Sequence, residues 1–405
     1  PSRVIGTAVP LRAISITWPL LLGMGVLMLG AGLQSTLLGL RATLEGFPTL
    51  VTGVIMSCYY VGYVSGTVIA PPLLRQIGHI RVFAALAAIA AVAILVQGCF
   101  VNPWAWGAMR LISGVCFAGI YVVAESWLND RASRANRGRL LAVYMVVLYV
   151  GLGAAQYLLL LSNPNTPTPF MLVSVLISLA MVPIVVSAQQ MPERAVPGKV
   201  RLRDLYRDTP LGVVAIMVSG LVSSIIFSMG PVYARLSGLQ THNIATFMAL
   251  SILSAVITQY PIGRLSDRMD RRTVIAGICT FAMLVAVAIV AFPALPHAAF
   301  LALSALFSGF ALTLYSLSVS HVNDKLEPAQ MVAASSALLL LNGSAAAIGP
   351  VLAGSLMSAF GPPAYFATLA ALTGTLAVFD LWRKTRRRPV PPSQKGPFIG
   401  AQPRA

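Results

Sequence analysis

Charged residues are scarce in this chain of 405 residues, and acidic ones are the scarcest. Asp, Glu, Lys and Arg make up 10% of the sequence, against about 25% in ordinary soluble domains. Only 11 residues are acidic, 57% are hydrophobic, and the mean hydropathy is +0.82. So little polar surface cannot cover a water-soluble protein of this length, and the composition therefore indicates a membrane protein.

Cysteine is also scarce, and no cysteine pair has the C-x-x-C spacing of a metal or redox site. Met24 and Met28 have the spacing of a soft-metal pair, but no histidine reinforces them, so core packing is the preferred interpretation. We expect no metal and no cofactor. All four cysteines lie in apolar runs and are predicted to be buried hydrophobic residues: Cys58, Cys99, Cys116 and Cys279.

Twelve apolar runs are long enough to span a bilayer, which requires about 20 mostly apolar residues. The first run is too long for a signal peptide, so we expect it to be retained as a membrane helix. Turn residues such as Asn163-Pro164-Asn165 separate the runs. The runs cover residues 13–38, 49–73, 80–101, 104–128, 139–161, 168–190, 210–234, 243–264, 273–293, 297–321, 330–357 and 362–382.

The net charge of +17 is distributed over alternate connections rather than along a basic stripe, which argues against nucleic acid as a partner. Only Arg41 and Arg235 fall on one side of the membrane, and Arg110 falls inside a helix. The other 25 of the 28 basic residues share the side that holds both termini. The positive-inside rule places that side, and therefore both termini, in the cytoplasm.

An internal repeat divides the chain. Residues 121–131 align with 315–325, and residues 71–81 align with 263–273, at corresponding places in the two parts. We therefore predict an all-α membrane protein of two six-helix, pseudo-symmetric halves. The predicted parts are an N-terminal half at 1–190, a cytoplasmic linker at 191–208, a C-terminal half at 209–384 and a disordered, basic, Pro-rich tail at 385–405.

Residues 263–272 (GRLSDRMDRR) resemble the loop signature G-x-L-x-D-R-x-G-R-R of the major facilitator superfamily. Such a loop can latch neighbouring helices together, because its acid caps and pairs while its arginines reach acids and helix ends. Two departures make the latch unequal: Asp270 replaces the second glycine, and Arg75 stands where the first half should have an acid. The predicted latch residues are Gly263, Asp267, Arg268, Arg271, Arg272, Arg75, Gly78, Arg81, Arg137 and Arg139.

Further stretches are similar to the same superfamily. Arg110 and Gly114 match its fourth-helix Arg-x-x-x-Gly motif, and residues 122–151, 57–62 and 261–267 look most like its YcaD-like branch. The resemblance implies the twelve-helix major facilitator fold and a transport role. It implies no particular substrate.

Arg110 and Glu125 are the charged residues that we place within membrane helices, and embedded charge suggests function. We expect Arg110 to bind substrate or assist proton movement, with helix packing as the alternative. Glu125 is expected to be either a latch partner of Arg75, Arg81 or Arg139, or a proton carrier.

Other polar side chains within the runs predict a cavity suited to an organic molecule of modest size, because polar groups in hydrocarbon face the protein interior. They are Gln34, Tyr59, Tyr60, Tyr63, Tyr121, Tyr144, Tyr149, Gln156, Ser223, Ser224, Gln259, Tyr315 and Asn342.

These observations favour a secondary transporter in a bacterial inner membrane. Its expected solute is a small organic molecule, either a metabolite or a drug-like compound, and anions are included. No G-x-x-x-x-G-K-[ST] loop is present to bind ATP, so we expect a proton gradient to drive transport, with uniport and metal import as weaker alternatives. A membrane sensor on the same fold is the alternative outside transport. We do not expect an enzyme, because no nucleophile–base pair lies within a helix. The expected form is a monomer in contact with lipid, substrate and protons.

Overall fold

The computed structural model describes residues 11–131, 137–186, 205–207, 209–326 and 328–384, and within these ranges its regular structure is helical. Twelve helices there are long and apolar enough to cross a membrane, so the predicted runs are confirmed. In order they are α1 (Leu11–Leu44), α2 (Thr49–Ile77), α3 (His79–Cys99), α4 (Pro103–Arg131), α5 (Arg137–Leu158), α6 (Thr168–Val186), α7 (Pro210–Leu236), α8 (Thr241–Arg268), α9 (Arg271–Ala291), α10 (His297–Asn323), α11 (Pro328–Phe360) and α12 (Ala364–Lys384).

The first helix extends past its predicted end at residue 38 and includes Arg41 in its last turn. Arg41 donates a hydrogen bond to the Pro164 carbonyl at 2.8 Å and forms an ion pair with Glu45. These partners bind the two terminal nitrogens of the guanidinium at the membrane boundary, so the charge does not end the helix as the sequence suggested.

The predicted tail at 385–405 lies outside the described residues, as does most of the predicted linker at 191–208. The described part of that linker, residues 205–207, is helical. Its Leu205 is buried in a small cluster with Val213 and Ile216 of α7 and Tyr315 of α10. The chain therefore packs against the second half before α7 begins.

The two sets of six helices repeat one packing pattern. In the first, α1 packs against α5 and α6, α3 against α4 and α6, and α2 against α4. In the second, α7 packs against α11 and α12, α9 against α10 and α12, and α8 against α10. Every pair in the first set has its counterpart six helices later. The predicted pseudo-symmetry of two six-helix halves is therefore confirmed.

The halves meet along α1–α7, α2–α11 and α5–α8. We call the side where α2 ends and α3 begins the basic face, and the side where α1 ends and α2 begins the opposite face. Small residues bring α2 and α11 together at the opposite face. A Cβ on Gly53 would collide with the Pro350 carbonyl, and one on Gly354 would lie 2.8 Å from the Thr49 carbonyl oxygen.

Two expectations about buried residues are wrong. Cys99 is exposed at the end of α3 and Cys58 is only partly buried, so only Cys116 and Cys279 are buried thiols. Arg110 and Glu125 are also not the only embedded charges. Asp380 of α12 is fully buried, close enough to Cys279 of α9 to interact with it electrostatically. Hydropathy alone places Asp380 at a helix end, but α12 continues to Lys384.

We predict that Gly53→Val destabilises the close contact between α2 and α11, because the added side chain is too large for the space between the two helices. Overpacking typically costs about 1–3 kcal/mol. Thermal unfolding in detergent should show a lower midpoint for Gly53→Val than for the wild type. Gly277→Val on α9 is the matched control, since a Cβ there meets nothing within 4 Å. Equal midpoints for the two variants would contradict tight packing between α2 and α11.

Candidate functional site

A cavity lies between the two halves, around the side chain of Arg110 on α4. Its volume is about 30 Å³, and its lining comes from α1, α2, α4, α5, α7 and α8. Of the predicted pathway residues, Arg110, Gln34, Tyr59, Tyr60 and Gln156 meet there. The sequence did not single out the other lining residues, which are Ala31, Gly32, Ser35, Thr36, Phe117, Leu152, Phe227, Met248 and Ile252.

Arg110 is 4% exposed, and its guanidinium carbon lies 4.4 Å from the centre of the Tyr59 ring. An arginine at the centre of a membrane helix costs about 2.5–3.5 kcal/mol to insert, and a desolvated cation–π contact recovers about 2 kcal/mol. In addition, the Arg110 Nε atom is buried without a hydrogen-bond partner among the described residues. The ring contact therefore covers a face of the guanidinium but supplies no hydrogen bond to Nε.

Two glutamines line the cavity, and they differ in whether their amide groups have hydrogen-bond partners. Gln156 is fully engaged, because its Nε2 donates to the carbonyls of Leu152 at 2.9 Å and Gly32 at 3.3 Å, and its Oε1 accepts from Thr36 Oγ1. Gln34 is 2% exposed, and its Nε2 has no hydrogen-bond partner within the described part of the chain. Gln156 therefore shapes the cavity wall, whereas Gln34 has an N–H donor available to a bound molecule.

Polar contacts between the halves lie beside this cavity. The Tyr60 hydroxyl of α2 lies 3.3 Å from the Ser228 hydroxyl of α7, and Ser35 of α1 donates to the Phe227 carbonyl at 3.0 Å. Together with the glycines between α2 and α11, these contacts join the halves from the opposite face to the middle of the bundle. A solute in the cavity would contact both halves where they pack against each other.

An aromatic row extends from the cavity within the first half. The Tyr59 and Tyr63 rings lie 6.3 Å apart, and so do those of Tyr63 and Tyr121. The Tyr121 hydroxyl donates to the Met28 sulfur at 3.3 Å. The row runs along α2 and α4 and gives the first half a continuous aromatic wall.

The remaining pathway candidates lie outside the cavity lining. Tyr149 is buried in α5, and Tyr315 packs in the Leu205 cluster. Gln259 donates to the Ser316 hydroxyl at 2.9 Å, joining α8 to α10. Asn342 donates to the Ile216 carbonyl and to Ser219, which joins α11 to α7. Gln259 and Asn342 therefore hold helices of the second half together through hydrogen bonds.

The second half carries a buried ionic cluster at the basic face. Arg271, 1% exposed, donates to the Ser320 carbonyl at 2.6 Å and pairs with Asp324 at 2.8 Å. Its contact with Asp267 is longer, at 3.3 Å, and the Asp267 side chain is 44% exposed. Helices α8, α9 and α10 are therefore joined through Arg271, and Asp324 is its closer and more deeply buried partner. The signature pattern did not include Asp324.

Asp270, which replaces the second glycine of the signature, caps α9. Its carboxylate accepts from the Arg272 backbone N–H at 3.1 Å and pairs with the Arg272 side chain. Burial raises the pKa of Asp270, but the bonds from Arg272 outweigh that effect, so the net pKa is lowered. Gly78 begins the equivalent turn of the first half with φ of 90°, a conformation that favours glycine.

The first half has a histidine and a serine at the positions of the ionic cluster. His79 aligns with Arg271 and Ser126 aligns with Ser320, and the His79 Nε2 lies 3.2 Å from the Ser126 hydroxyl. Glu125 is partly buried next to this contact, and its roles as latch partner or proton carrier stay predictions.

The other predicted latch residues differ in their exposure. Gly263 is buried, whereas Arg75, Arg81 and Arg268 are exposed. Arg137 and Arg139 begin α5, and their side chains lie outside the described set.

We predict that Asp324→Asn destabilises the protein much more than Asp267→Asn. Removing one partner of a buried ion pair costs about 3–5 kcal/mol, whereas an exposed pair contributes about 0–1 kcal/mol. The thermal unfolding midpoints of the two purified variants provide the comparison. An Asp267→Asn variant that loses as much stability as Asp324→Asn would show that the two pairs are equivalent.

Comparison with known proteins gives one consistent result. The sequence profile of the Major Facilitator Superfamily matches residues 20–310 and 215–403. The MFS-type transporter YcaD of Escherichia fergusonii is 30% identical over 334 residues, covering 81% of this chain and 85% of that protein. The MFS-type transporter Ent638_1421 of Enterobacter sp. (strain 638) is 29% identical and covers 86% of this chain and 90% of its own length.

Solved structures share the fold. The crystal structure of a mutant form of the nucleoside transporter NupG has a TM-score of 0.80 at 15% identity and covers 91% of this chain and 100% of that one. A bacterial homologue of the human lysosomal transporter Spinster, in an inward-facing and occupied conformation, has a TM-score of 0.77 at 13% identity, with 96% and 99% covered. With twelve membrane-spanning helices in two similar halves and a profile match over most of its length, the chain belongs to the Major Facilitator Superfamily of transporters.

Proposed function

We propose that the protein is a secondary transporter that carries a small organic solute across the bacterial inner membrane by alternating access, driven by the proton gradient. The observation that supports this most directly is the cavity between the halves, with Arg110 buried in it. A solute there contacts both halves and is shielded from lipid. Rocking of one half against the other then exposes the same site to each side in turn.

We further propose that the basic face is cytoplasmic and that this conformation opens towards it. The excess of Lys and Arg on that side supports the orientation. The contacts at Gly53, Tyr60 and Ser35 hold the halves together from the opposite face to mid-bundle. The halves at 1–190 and 209–384 are proposed to move as two bodies joined by the 191–208 linker, within a monomer.

Uptake into proteoliposomes tests the transport proposal. Purified protein is reconstituted with an imposed pH gradient and exposed to a panel of radiolabelled metabolites and drugs. Accumulation of at least one solute, abolished when a protonophore collapses the gradient, is the expected result. If folded protein accumulates none of the panel, the transport proposal fails, and if accumulation ignores the protonophore, only the proton coupling fails.

We predict that Arg110→Ala abolishes transport while the protein still folds, because the variant removes the only charge that lines the cavity among the described residues. Initial uptake rates, with folding monitored by size-exclusion chromatography, provide the measurement. Arg235→Ala is the matched control, since Arg235 is exposed at the end of α7 and away from the cavity. Normal uptake by Arg110→Ala would leave Arg110 with a packing role alone.

A further inference from the structure

We infer that the cavity selects a monoanion: a single carboxylate attached to an apolar or aromatic body. This inference rests on the proposed function, since it names the class of solute that the same site would take. It follows from three properties of the described lining residues, which are their available donors, their charge and their apolar walls.

The buried hydrogen-bonding atoms of the lining that have no partner among the described residues are both donors. Arg110 Nε and Gln34 Nε2 are both buried without partners among the described residues, on side chains that are 4% and 2% exposed. Tyr59 lies against the guanidinium at 4.4 Å, and contact with an aromatic face leaves the N–H groups in the guanidinium plane free to donate. By contrast, the Gln156 Oε1 acceptor is already bound by Thr36. Two N–H donors from α4 and α1 match the two oxygens of one carboxylate.

The charge of the lining limits the ligand to one negative charge. Arg110 contributes one positive charge, and no residue described as lining the cavity is acidic. A neutral solute would leave the guanidinium uncompensated, and a cation would repel it. A dianion would bring a second negative charge into a site that has no second cation, and an unpaired charge is disfavoured in such surroundings. Neutralisation is complete only with a monoanion.

The walls around these donors are apolar and partly aromatic. Phe117 continues the Tyr59 face, and Phe227, Met248 and Ile252 come from the second half. The Tyr59 and Phe117 ring centres lie 6.3 Å apart. Apart from its carboxylate, the solute would meet rings and aliphatic side chains, which favours a hydrocarbon or aryl body over a sugar or polyol. At about 30 Å³, the cavity must widen to admit it.

Binding by matched probes tests the charge selection. Phenylacetate, 3-phenylpropionate and 1-naphthylacetate are each compared with their neutral amides, and phenylacetate is also compared with phenylmalonate and phenethylamine. Equilibrium dissociation constants are measured by calorimetry on the full chain in nanodiscs. We expect at least one carboxylate to bind 10-fold or more tightly than its amide, and phenylacetate to bind more tightly than phenylmalonate and phenethylamine. If no carboxylate exceeds its amide, the inference is wrong.

Variants then assign the selectivity to the named donors. Arg110→Gln should reduce the carboxylate-to-amide affinity ratio to about one, a readout that a general loss of fold does not imitate because amide binding is retained. Gln34→Leu should weaken carboxylate binding about 10-fold. Gln97→Leu is the control, since Gln97 is an equally buried glutamine that bonds to Trp106 away from the cavity. An unchanged ratio in Arg110→Gln would overturn the assignment.

The outcomes separate this inference from the transport proposal. If the carboxylates bind selectively but no labelled carboxylate is accumulated by proteoliposomes, the ligand class stands and transport fails. If a neutral or cationic solute is accumulated in an Arg110-dependent manner while carboxylates bind no better than their amides, transport stands and the monoanion class fails.

Discussion

The exclusion of water from the bilayer is the constraint on which this structure depends. Hydrocarbon offers no hydrogen-bond partners, so every backbone group must be satisfied within a helix and every polar side chain by a neighbour. Most buried polar groups meet this demand, as the bonds of Asn342 to α7 and of Arg271 to α10 show. Arg110 is different because an aromatic ring, rather than a carboxylate, lies against its guanidinium. The same constraint that holds the helices together therefore points to the place where a solute belongs.

The sequence predicts the helices well because hydropathy is a property of each segment alone. The twelve runs followed from hydropathy, and the repeat and the superfamily followed from short motifs, whereas the end of α1 depended on the bond of Arg41 to the Pro164 carbonyl across the bundle. Cavity residues are harder to predict, since a polar residue in a membrane helix faces either a bound molecule or a neighbouring helix. Gln34 and Asn342 have similar sequence surroundings, yet only Gln34 reaches the cavity. The depth of Asp380 escapes prediction because it depends on how α12 packs against α9.

The two halves use one framework with different chemistry. In the second half, Arg271 and Asp324 join three helices through a buried ion pair. In the first half, a histidine and a serine occupy the positions of Arg271 and Ser320, and their side chains lie within hydrogen-bond distance of each other. The first half also supplies Arg110, Gln34 and most of the aromatic wall. The proposed ligand-binding groups thus lie mainly in the first half, whereas the buried pair of Arg271 and Asp324 lies in the second.

The lone guanidinium in the cavity also has an electrical consequence. A charge that crosses the membrane potential gains or loses about 2.3 kcal/mol per 100 mV. In the proposed cycle, the empty site exposes the positive charge of Arg110 to one side and then to the other, and a negative cytoplasm favours the state that is open inward. With the inferred monoanion bound, the pair of Arg110 and solute carries no net charge. The membrane voltage would then act on the empty carrier through Arg110 and on the loaded carrier only through the coupled protons, so the two halves of the cycle would differ in which charge the voltage acts on.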